Sequence, residues 1–596
     1  MKFNKSKKII STFLMLFMII SQLGGVFAMT VGDTANLYSK GECEKGLRYT
    51  KPDGTDLGVL THYVVYNENG KEYPAYCLDI ELPGVSDDNP YSVTAMSMDN
   101  ISNSQAVWRV LLNGFPYKSA AEMGLGSDTQ AFQATKQAIY SVLDGRDTSK
   151  YYGSNDIGTA VANKIRELAN IGRNGSQTYT DPVITCTAQN EAAVDSINDE
   201  YVSETFKIDS SVNSKDIKVV LNTLTAPKGS YVADTNNTKK TTFNKGDTFK
   251  VLVPRKNITS ELNLQMSLNG QCETYPVLFG KAPDGAGVQN YALTADPFVM
   301  SAARATMHYI PTFDLDVNKI SSKDSEITKL LKGSKLANAK FTVVSEDGSM
   351  QKIMTTDENG LFYLKDLPIN VKFTITEIEA PEYYLILDDQ SKITIEAKYD
   401  GDDKVLTIEN EPVETKVNVD KEGPTEAERG EIITYDFSNI SNLSNVDVSE
   451  FIWGDKLPRE VTLQKIETGT WNEEKTYRVQ YITNKKSGWE TIGEYSSTEN
   501  NEIDFTQIEL EKGEYIEEFR LVFGDVKKGF CEEIQPKVYA KVNDNVKDKK
   551  IFVNKTYVTA SYKDVKMRDD DEAHTVVYTK EKVDTTKPLP KTGYDY

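Results

Sequence analysis

Two hydrophobic patterns alternate along this chain, and they predict two kinds of element. After about residue 178, apolar and polar residues alternate in short runs such as FKIDS, KVVLNTL and FKVLVP. Because alternate residues of a strand share one face, these runs predict half-buried β-strands. Between residues 101 and 172 the apolar residues recur every three or four positions, as in SNSQAVWRVLLNG and ANKIRELANIG, which is typical of amphipathic helices. The second of these helices is expected to end at Gly172. The patterns predict a mainly β, multidomain chain with a helical insert in its first domain.

A further stretch, Thr129–Gly145 (TQAFQATKQAIYSVLDG), is also predicted to be a helix. At about 100° per residue, its apolar residues form one face, and Lys136 lies at the edge of that face. Gln137 falls on the opposite side, together with Gln130 and Gln133. We therefore expect Lys136 to point toward the rest of the domain and Gln137 to point away from it.

Composition and charge exclude several classes of function. The 596 residues carry 68 basic and 89 acidic side chains, for a net charge of −21, so nucleic acids and anionic membranes are not expected partners. Three histidines lie in three separate regions, which counts against a zinc site and against Cys–His catalysis. The five cysteines do not form the dense pairs of a disulfide framework, although pairing among Cys43, Cys186 and Cys272 stays open. The acidic run Asp569–Glu572 is predicted to be a solvated loop.

The first segment, Met1–Ala28, has the composition of a secretory signal peptide. Four lysines precede the apolar run Ile9–Ile20, and Val-Phe-Ala stands at the expected cleavage site. The apolar run is about a dozen residues long, which is short for a transmembrane helix. We therefore expect residues 1–28 to be removed and the protein to be secreted.

The stretch Lys71–Gly84 (KEYPAYCLDIELPG) is predicted to be a strand that runs into a turn, with Cys77 placed after an aromatic residue. Together with the helix at Thr129–Gly145, it resembles the thioester domain of Gram-positive surface adhesins. The domain so predicted spans residues 29–308 and is a β domain with a helical insert. The resemblance implies that the cysteine is joined to a glutamine of the helix, and that the strained bond acylates a nucleophile on a host ligand.

The helix departs from the family pattern at one position. The family's glutamine directly follows the threonine, in T-Q-x-A-I-W, whereas here Thr135 is followed by Lys136 and only then by Gln137. Because lysine has no carboxamide, the thioester candidates are Cys77 and Gln137. The alternative is a thioester-type domain that has lost the bond, or uses Cys77 in another way, and binds its ligand non-covalently.

Residues 309–413 resemble the prealbumin-like module (SpaA or CnaB type) of pilins and surface adhesins. The motifs that carry the resemblance are FDLDVNKI, AKFTVVSEDG, TTDENGLFYLKDLP, FTITEIEAPEYY and VLTIENEP. Strand alternation places Lys319, Glu377 and Asn410 each on the apolar face of its own strand. The resemblance implies a spontaneous isopeptide bond between Lys319 and Asn410, with Glu377 as the catalytic acid. A buried Lys319–Glu377 salt bridge is the alternative.

Residues 414–582 resemble the Ig-like repeat domains of bacterial surface proteins. The resemblance rests on RGEIITYDFSNISNLSNVDVSEFIWGDKLP and KKIFVNKTYVTASY. Lys421 and Asn554 lie on apolar strand faces, so they are candidates for a second isopeptide bond, with Asp436 or Asp455 as the acid. The alternative places Lys421 exposed at the end of a strand.

The last segment, residues 583–596, contains a match to the LPxTG sorting signal of sortase substrates. The match is formed by Leu589, Pro590, Lys591, Thr592 and Gly593. It implies cleavage after Thr592 and attachment to peptidoglycan or to a pilin subunit. Since the apolar segment and basic tail that usually follow this signal do not precede Tyr596, we expect the gene to continue.

These features predict a secreted, cell-wall-anchored surface adhesin or pilus-tip subunit, with a thioester-type head on an isopeptide-stabilised stalk. The alternative is a structural, pilin-like protein whose head binds its ligand non-covalently. An enzyme such as a cysteine peptidase or transglutaminase would need a histidine beside Cys77, and the surroundings of His62 carry no such motif. The expected partners are a host cell-surface or matrix ligand, sortase, and peptidoglycan or a pilin subunit. Beyond autocatalytic bond formation, no enzyme activity is expected, and no cofactor, metal or nucleic acid.

Overall fold

The computed structural model of the protein describes residues 31–85, 90–95, 101 and 103–579. The predicted signal peptide, residues 1–28, and the predicted sorting signal, residues 589–593, lie outside the described residues. The chain divides into two compact units, Met1–Pro311 and Thr312–Tyr596.

The first unit combines a barrel, three helices and an inserted sandwich. The helices are α1 (Ser104–Leu112), α2 (Asp128–Leu143) and α3 (Asp156–Asn174). The described strands are β1 (Thr34–Glu42), β2 (Leu47–Thr50), β3 (Asp56–Gly58), β4 (His62–Glu68), β5 (Lys71–Cys77), β6 (Pro90–Ala95), β7 (Tyr151–Gly153), β8 (Ile184–Ala188), β9 (Ala193–Val194), β10 (Tyr201–Ser210), β11 (Ser214–Leu221), β12 (Tyr231–Ala233), β13 (Thr242–Phe243), β14 (Thr248–Pro254), β15 (Leu262–Glu273), β16 (Val277–Lys281), β17 (Tyr291–Thr294) and β18 (Phe298–Tyr309).

The barrel is closed by strands from distant parts of the first unit. Its order is β1-β4-β5-β17-β16-β6. Strand β17 pairs antiparallel with β5 and places Tyr291 opposite Cys77. In the sequence, the helices and the inserted sandwich therefore stand between β6 and β16, and they separate the two groups of strands that form the barrel.

Helix α2 is buried on all sides. It begins after Ser127, whose side chain accepts a hydrogen bond from the backbone N–H of Gln130, and every residue from Gln130 to Val142 is buried. Helices α1 and α3 pack on it from one direction, and strands β4 and β5 from another. The prediction that one side of this helix faces away from the domain is therefore wrong.

Helix α3 continues past Gly172, so the predicted end of this helix is also wrong. It runs to Asn174, and Gly175 follows as its capping residue. A Cβ atom at Gly172 would lie 2.7 Å from a methyl carbon of Val110 and 2.9 Å from one of Val142. The glycine is needed because it lets α3 approach α1 and α2 closely.

The inserted sandwich consists of two sheets between α3 and the end of the first unit. One sheet has the order β12-β14-β10-β8, with β9 beside β10, and the other has the order β13-β11-β15-β18. A separate apolar core fills the space between them and includes the stacked pair Phe206 and Phe249.

The second unit contains two further sandwiches. Its described strands are β19 (Thr312–Ser321), β20 (Lys340–Ser345), β21 (Gln351–Thr355), β22 (Leu361–Pro368), β23 (Lys372–Glu379), β24 (Tyr384–Ile386), β25 (Lys392–Glu396), β26 (Lys404–Pro412), β27 (Val417–Glu422), β28 (Glu426–Glu428), β29 (Ile432–Asn442), β30 (Val448–Lys456), β31 (Val461–Glu467), β32 (Thr470–Trp471), β33 (Thr476–Thr483), β34 (Glu490–Ser496), β35 (Glu502–Asp504), β36 (Ile516–Val526), β37 (Glu532–Ile534), β38 (Lys537–Val542), β39 (Ile551–Tyr562) and β40 (Val565–Tyr578).

The middle sandwich, residues 312–412, packs the sheet β22-β19-β26-β24 against the sheet β21-β20-β23-β25. Its first and last strands, β19 and β26, are parallel neighbours, with Ser321 opposite Asn410. The C-terminal sandwich, residues 417–578, packs β27-β29-β38-β31-β35 against β28-β40-β39-β30-β36-β33-β34. The predicted mainly β, multidomain fold is confirmed.

The acidic run Asp569–Glu572 lies within strand β40 and not in a loop, so this prediction is wrong. The carboxylate of Asp569 accepts a hydrogen bond from the backbone N–H of Val419 at 3.0 Å, and that of Asp571 accepts one from Lys421 at 2.7 Å. These two acidic side chains thus accept hydrogen bonds from backbone N–H groups of β27 that do not pair with its neighbouring strand β29.

Side chains on both sides of the short linker join the two sandwiches of the second unit. The Asn445 amide donates to the carbonyl of Pro412 at 3.0 Å and accepts from the N–H of Glu414 at 2.9 Å. Lys563 lies 3.3 Å from Glu382. These contacts hold the linker against the C-terminal sandwich.

The five cysteines are all free thiols, so the pairing left open among Cys43, Cys186 and Cys272 is not formed. Within the described ranges, none of the helices has the length and apolar character needed to span a membrane.

Candidate functional site

Cys77 lies at the end of β5, in the wall of a cavity that is partly open to the surface. Its side chain is 1% exposed. The next residue, Leu78, donates its N–H to the carbonyl of Asn290 at 3.1 Å, which ties the end of β5 to the residues that precede β17. The thiol opens onto a cavity of about 470 Å³, which is also lined by Lys136, Tyr140 and Gln289.

Tyr140 on α2 lies beside Cys77 and Gln289, and the three side chains line the same cavity. Burial, and then the neighbouring Cys77, raise the pKa of the Tyr140 hydroxyl far above its usual range, so this hydroxyl stays protonated and can donate. Tyr291 also contacts Cys77, and burial likewise raises its pKa.

Gln289 is a site residue that the sequence did not reveal. It is 4% exposed. Its Oε1 accepts from the N–H of Asp79 at 3.4 Å, and its Nε2 donates to the carbonyl of Leu82 at 3.4 Å. Both hydrogen bonds are long, so the carboxamide is held only loosely. The sequence signal was an isolated amide before the apolar strand YALT, but nothing local links that amide to Cys77.

Gln137 has a different environment from the one predicted. It is 3% exposed, and its Nε2 donates to the Thr61 hydroxyl at 3.3 Å. Its Oε1 accepts from the Tyr151 hydroxyl at 3.1 Å. The prediction that Gln137 points away from the domain is therefore wrong. The structure also pairs its carboxamide with Thr61 and Tyr151, and the carboxamide that meets Tyr140 beside Cys77 belongs to Gln289.

Lys136 points toward the site, as predicted. It is 7% exposed and lines the same cavity as Cys77. Tyr140, one turn farther along the helix, also lies beside the thiol. That Lys136 itself faces Cys77 stays a prediction.

A second site lies inside the middle sandwich, where three polar side chains meet in the apolar core. Lys319 on β19 and Asn410 on β26 come from one sheet, and Glu377 on β23 comes from the facing sheet. The Lys319 Nζ lies 2.7 Å from the Glu377 Oε2, and the Asn410 Nδ2 donates to the same oxygen at 3.2 Å. The structure thus brings together all three residues that strand alternation placed on buried faces.

Burial opposes charge on both ionisable groups of this site. It lowers the pKa of the Lys319 ammonium and raises that of the Glu377 carboxyl, while the attraction between the two groups works against both shifts. The Glu377 Oε1 and the Asn410 Oδ1 are buried without a hydrogen-bond partner. A buried polar atom without a partner costs free energy of folding, so these two atoms need an explanation other than hydrogen bonding within the site.

A third site, in the C-terminal sandwich, has the same composition. The Lys421 ammonium forms a fully buried ion pair with Asp455, so the alternative of an exposed Lys421 is wrong. Burial lowers the pKa of Lys421 to about 8 and raises that of Asp455. The Asn554 amide adjoins Asp455 and Tyr435, yet neither of its polar atoms has a partner of normal geometry.

The other acid proposed for this site lies elsewhere. Asp436 is part of a half-exposed ion pair with Lys537, at 3.1 Å. Its strand position is one residue from that of Phe437, which faces the core, so strand alternation turns Asp436 outward.

A second Lys–Asp–Asn cluster, in the inserted sandwich, has different surroundings. The Asp195 carboxylate accepts from Lys250 at 2.9 Å, from Ser203 at 2.7 Å and from Asn237 at 2.7 Å. Burial alone would raise the pKa of Asp195, but these hydrogen bonds outweigh it and hold that pKa well below its usual range. Asp195 therefore stays ionised, and the cluster is a stable hydrogen-bonded ion pair.

Two protein families match parts of the chain. The thioester domain matches residues 74–172, which include Cys77 and α2 but not Gln289. The SpaA prealbumin-like fold domain matches residues 323–412. These matches confirm the thioester domain and the prealbumin-like domain predicted from the sequence. No curated protein sequence matches the chain.

The comparison with solved structures also finds matches at low sequence identity. The Bacillus anthracis TIE protein is 14% identical, with 91% of this chain and 99% of that chain covered and a TM-score of 0.47. The thioester domain of the Enterococcus faecium TIE86 protein is 20% identical, with coverages of 48% and 99% and a TM-score of 0.33. BcpA, the major pilin subunit of Bacillus cereus, is 15% identical, with coverages of 44% and 68% and a TM-score of 0.19.

The two family matches indicate a surface adhesin or a pilin-like protein. The thioester domain is a covalent binding module, and neither matched family is a family of enzymes.

Proposed function

We propose that this protein is a surface adhesin or pilus-tip subunit whose first unit binds its target covalently through a thioester between Cys77 and Gln289. The observation that carries the proposal is that Cys77, Gln289 and Tyr140 line one cavity, with Tyr140 beside the other two residues. A thioester needs these two groups side by side and shielded from water, and both are almost fully buried.

The thioester would form when the Cys77 sulfur displaces the amide nitrogen of Gln289. The Cys77 sulfur attacks the Gln289 carboxamide carbon, the new C–S bond replaces the C–N bond, and the amide nitrogen leaves as ammonia with the thiol proton. Protonated Tyr140 donates a hydrogen bond where negative charge develops on the carbonyl oxygen. A nucleophile of the target, such as a primary amine, then displaces the sulfur and restores the Cys77 thiol.

The middle sandwich supplies the first part of a cross-linked stalk, through an isopeptide bond between Lys319 and Asn410. Because burial favours the neutral pair, a proton passes from Lys319 to Glu377. The neutral amine attacks the Asn410 amide carbon, Glu377 moves the proton to the leaving nitrogen, and ammonia departs. The bond would join the first and last strands of the sandwich, so a pulling force would pass through it and not through the strands between.

The C-terminal sandwich would hold a second bond, between Lys421 and Asn554, with Asp455 as the acid. Lys421 lies on β27 of one sheet, whereas Asp455 and Asn554 lie on β30 and β39 of the other. The bond would therefore staple the two sheets together across the core.

The ends of the chain fit the same role. A secretory signal at residues 1–28 would export the protein, and LPKTG at residues 589–593 would let sortase join Thr592 to peptidoglycan or to a pilin subunit. The target would be a host cell-surface or matrix ligand that presents a nucleophile to the Cys77 cavity.

A second candidate function is a pilin-like subunit whose head binds without a covalent bond. The observation in its favour is Lys136, which stands where the family pattern has glutamine. The two functions differ in whether the Cys77–Gln289 bond exists.

Our first prediction concerns Glu377. In the secreted protein, peptide mapping by mass spectrometry is expected to find Lys319 and Asn410 in one branched peptide that has lost one ammonia. Glu377→Gln removes the proton carrier with little change in shape, so the two peptides should then be separate.

Loss of the bond should also destabilise the sandwich by about 4–5 kcal/mol, by analogy with a disulfide that closes a loop of similar length. Glu379→Gln, on the exposed part of the same strand, is the matched control. Separate peptides in the unmodified protein would contradict the prediction.

The second prediction concerns the choice of acid in the C-terminal sandwich. Asp455→Asn is expected to abolish the Lys421–Asn554 cross-link, whereas Asp436→Asn should leave it intact, because only Asp455 contacts the buried lysine. The same peptide maps should show Lys250 and Asn237 unmodified, since ionised Asp195 cannot act as the acid. A Lys250–Asn237 cross-link, or a cross-link that survives Asp455→Asn, would show that the assignment by burial and protonation is incorrect.

The third prediction concerns the thioester. Methylamine is expected to add to Gln289 in the secreted protein, and a thiol-alkylating reagent should modify Cys77 only after that addition. Gln289→Ala should abolish methylamine uptake and leave a free Cys77 thiol, while Gln137→Ala, the matched change on α2, should still take up methylamine. Uptake at Gln137, or none at all, would refute the proposed bond.

A further inference from the structure

The cavity beside Cys77 contains a buried cation without a partner. Lys136 is 7% exposed, and its ammonium lies 6.0 Å from the ring centres of both Phe132 and Tyr140. Among the residues that the structure describes, no side chain or backbone group forms an ion pair or hydrogen bond with this ammonium. A buried charge of this kind is costly unless a counter-charge approaches it.

A second basic side chain lines the cavity. It is Arg146, whose guanidinium lies 5.0 Å from the ring centre of Tyr49. None of the described residues that line the cavity is an aspartate or a glutamate. The whole chain carries a net charge of −21, so this cationic cavity is opposite in sign to the protein around it.

Charge in an enclosed site acts strongly on a ligand. A low-dielectric wall weakens screening, so the Lys136 ammonium attracts an anion and repels a protonated amine. A lysine side chain of a target is itself cationic before it reacts, and the cavity therefore disfavours it unless negative groups accompany it.

We propose that the cavity is an anion-binding subsite, and that the acyl acceptor is a primary amine carried beside a carboxylate, as in a protein lysine flanked by acidic residues. The proposal rests on the thioester proposed above. The carboxylate binds at Lys136, and the amine nitrogen attacks the carbonyl carbon of the Cys77–Gln289 thioester. The new C–N bond replaces the C–S bond, and the amine's proton passes to the Cys77 sulfur as it leaves.

Two amines of similar size and different charge test this selectivity. β-Alanine carries a carboxylate where propylamine carries a methyl group. We expect the secreted protein to incorporate β-alanine roughly tenfold faster than propylamine at low salt, which is the lower end of electrostatic rate effects. High salt should reduce the ratio. Lys136→Met should bring the ratio close to one, and Lys150→Met, an exposed lysine beyond the end of α2, should leave it unchanged.

A second measurement does not depend on the thioester. In the Gln289→Ala protein, Cys77 is a free thiol in the same cavity. Its alkylation by anionic iodoacetate relative to neutral iodoacetamide reports the local charge, and Lys136→Met should lower this ratio roughly tenfold. Lys136→Gln serves as a second neutral variant if Lys136→Met does not fold.

The outcomes separate the two proposals. If neither amine is incorporated but iodoacetate is favoured in a Lys136-dependent way, the thioester proposal fails and the anion subsite stands. If both amines react equally, or if the alkylation ratio does not depend on Lys136, the anion subsite is overturned. It is also overturned if Cys77 reacts with neither reagent, or if Lys136 is found cross-linked to Gln289.

Discussion

The exclusion of water from lysine and carboxyl groups is the constraint on which the buried polar sites of the second unit depend. In water both groups are charged and an amide is inert toward them. In the core of the middle sandwich, burial shifts the pKa values of Lys319 and Glu377 toward each other, so a neutral amine can exist beside a neutral acid. Asn410 is the third group of this site, and one of its polar atoms has no partner. The apolar packing that forms the sandwich thus also prepares its chemistry.

The cluster around Asp195 shows that composition alone is not enough. It has the same three residue types as the site at Lys421, and its lysine is likewise paired with its aspartate. Yet Asp195 accepts hydrogen bonds on both oxygens, which keep it ionised, whereas one oxygen of Asp455 has no partner and burial raises its pKa. We therefore propose that hydrogen-bond satisfaction decides whether such a cluster is a structural ion pair or a site of bond formation. The first unit follows a related rule, since Cys77 and Gln289 are buried together with few competing partners.

Local patterns predicted the parts of the fold and sites that strand alternation determines. Lys319, Glu377 and Asn410 could each be placed on the buried face of its own strand, because each lies on a regular strand whose alternate residues are apolar. The same reasoning failed for Gln137, since a helical wheel assumes an exposed side and α2 has none. Gln289 could not be identified because its position beside Cys77 follows from the closure of a barrel by β17, a pairing of distant segments that leaves no local signal. Asp455 could not be chosen over Asp436 without knowing which face of each strand meets Lys421.

The intact mass of the secreted protein tests the central claim most directly, since formation of each of the three proposed bonds releases one ammonia. The account predicts a mass lower than that of the processed sequence by three ammonia molecules, and by three ammonia molecules less one water after the thioester has been hydrolysed. A mass equal to that of the unmodified sequence would contradict the claim that burial drives these groups to react.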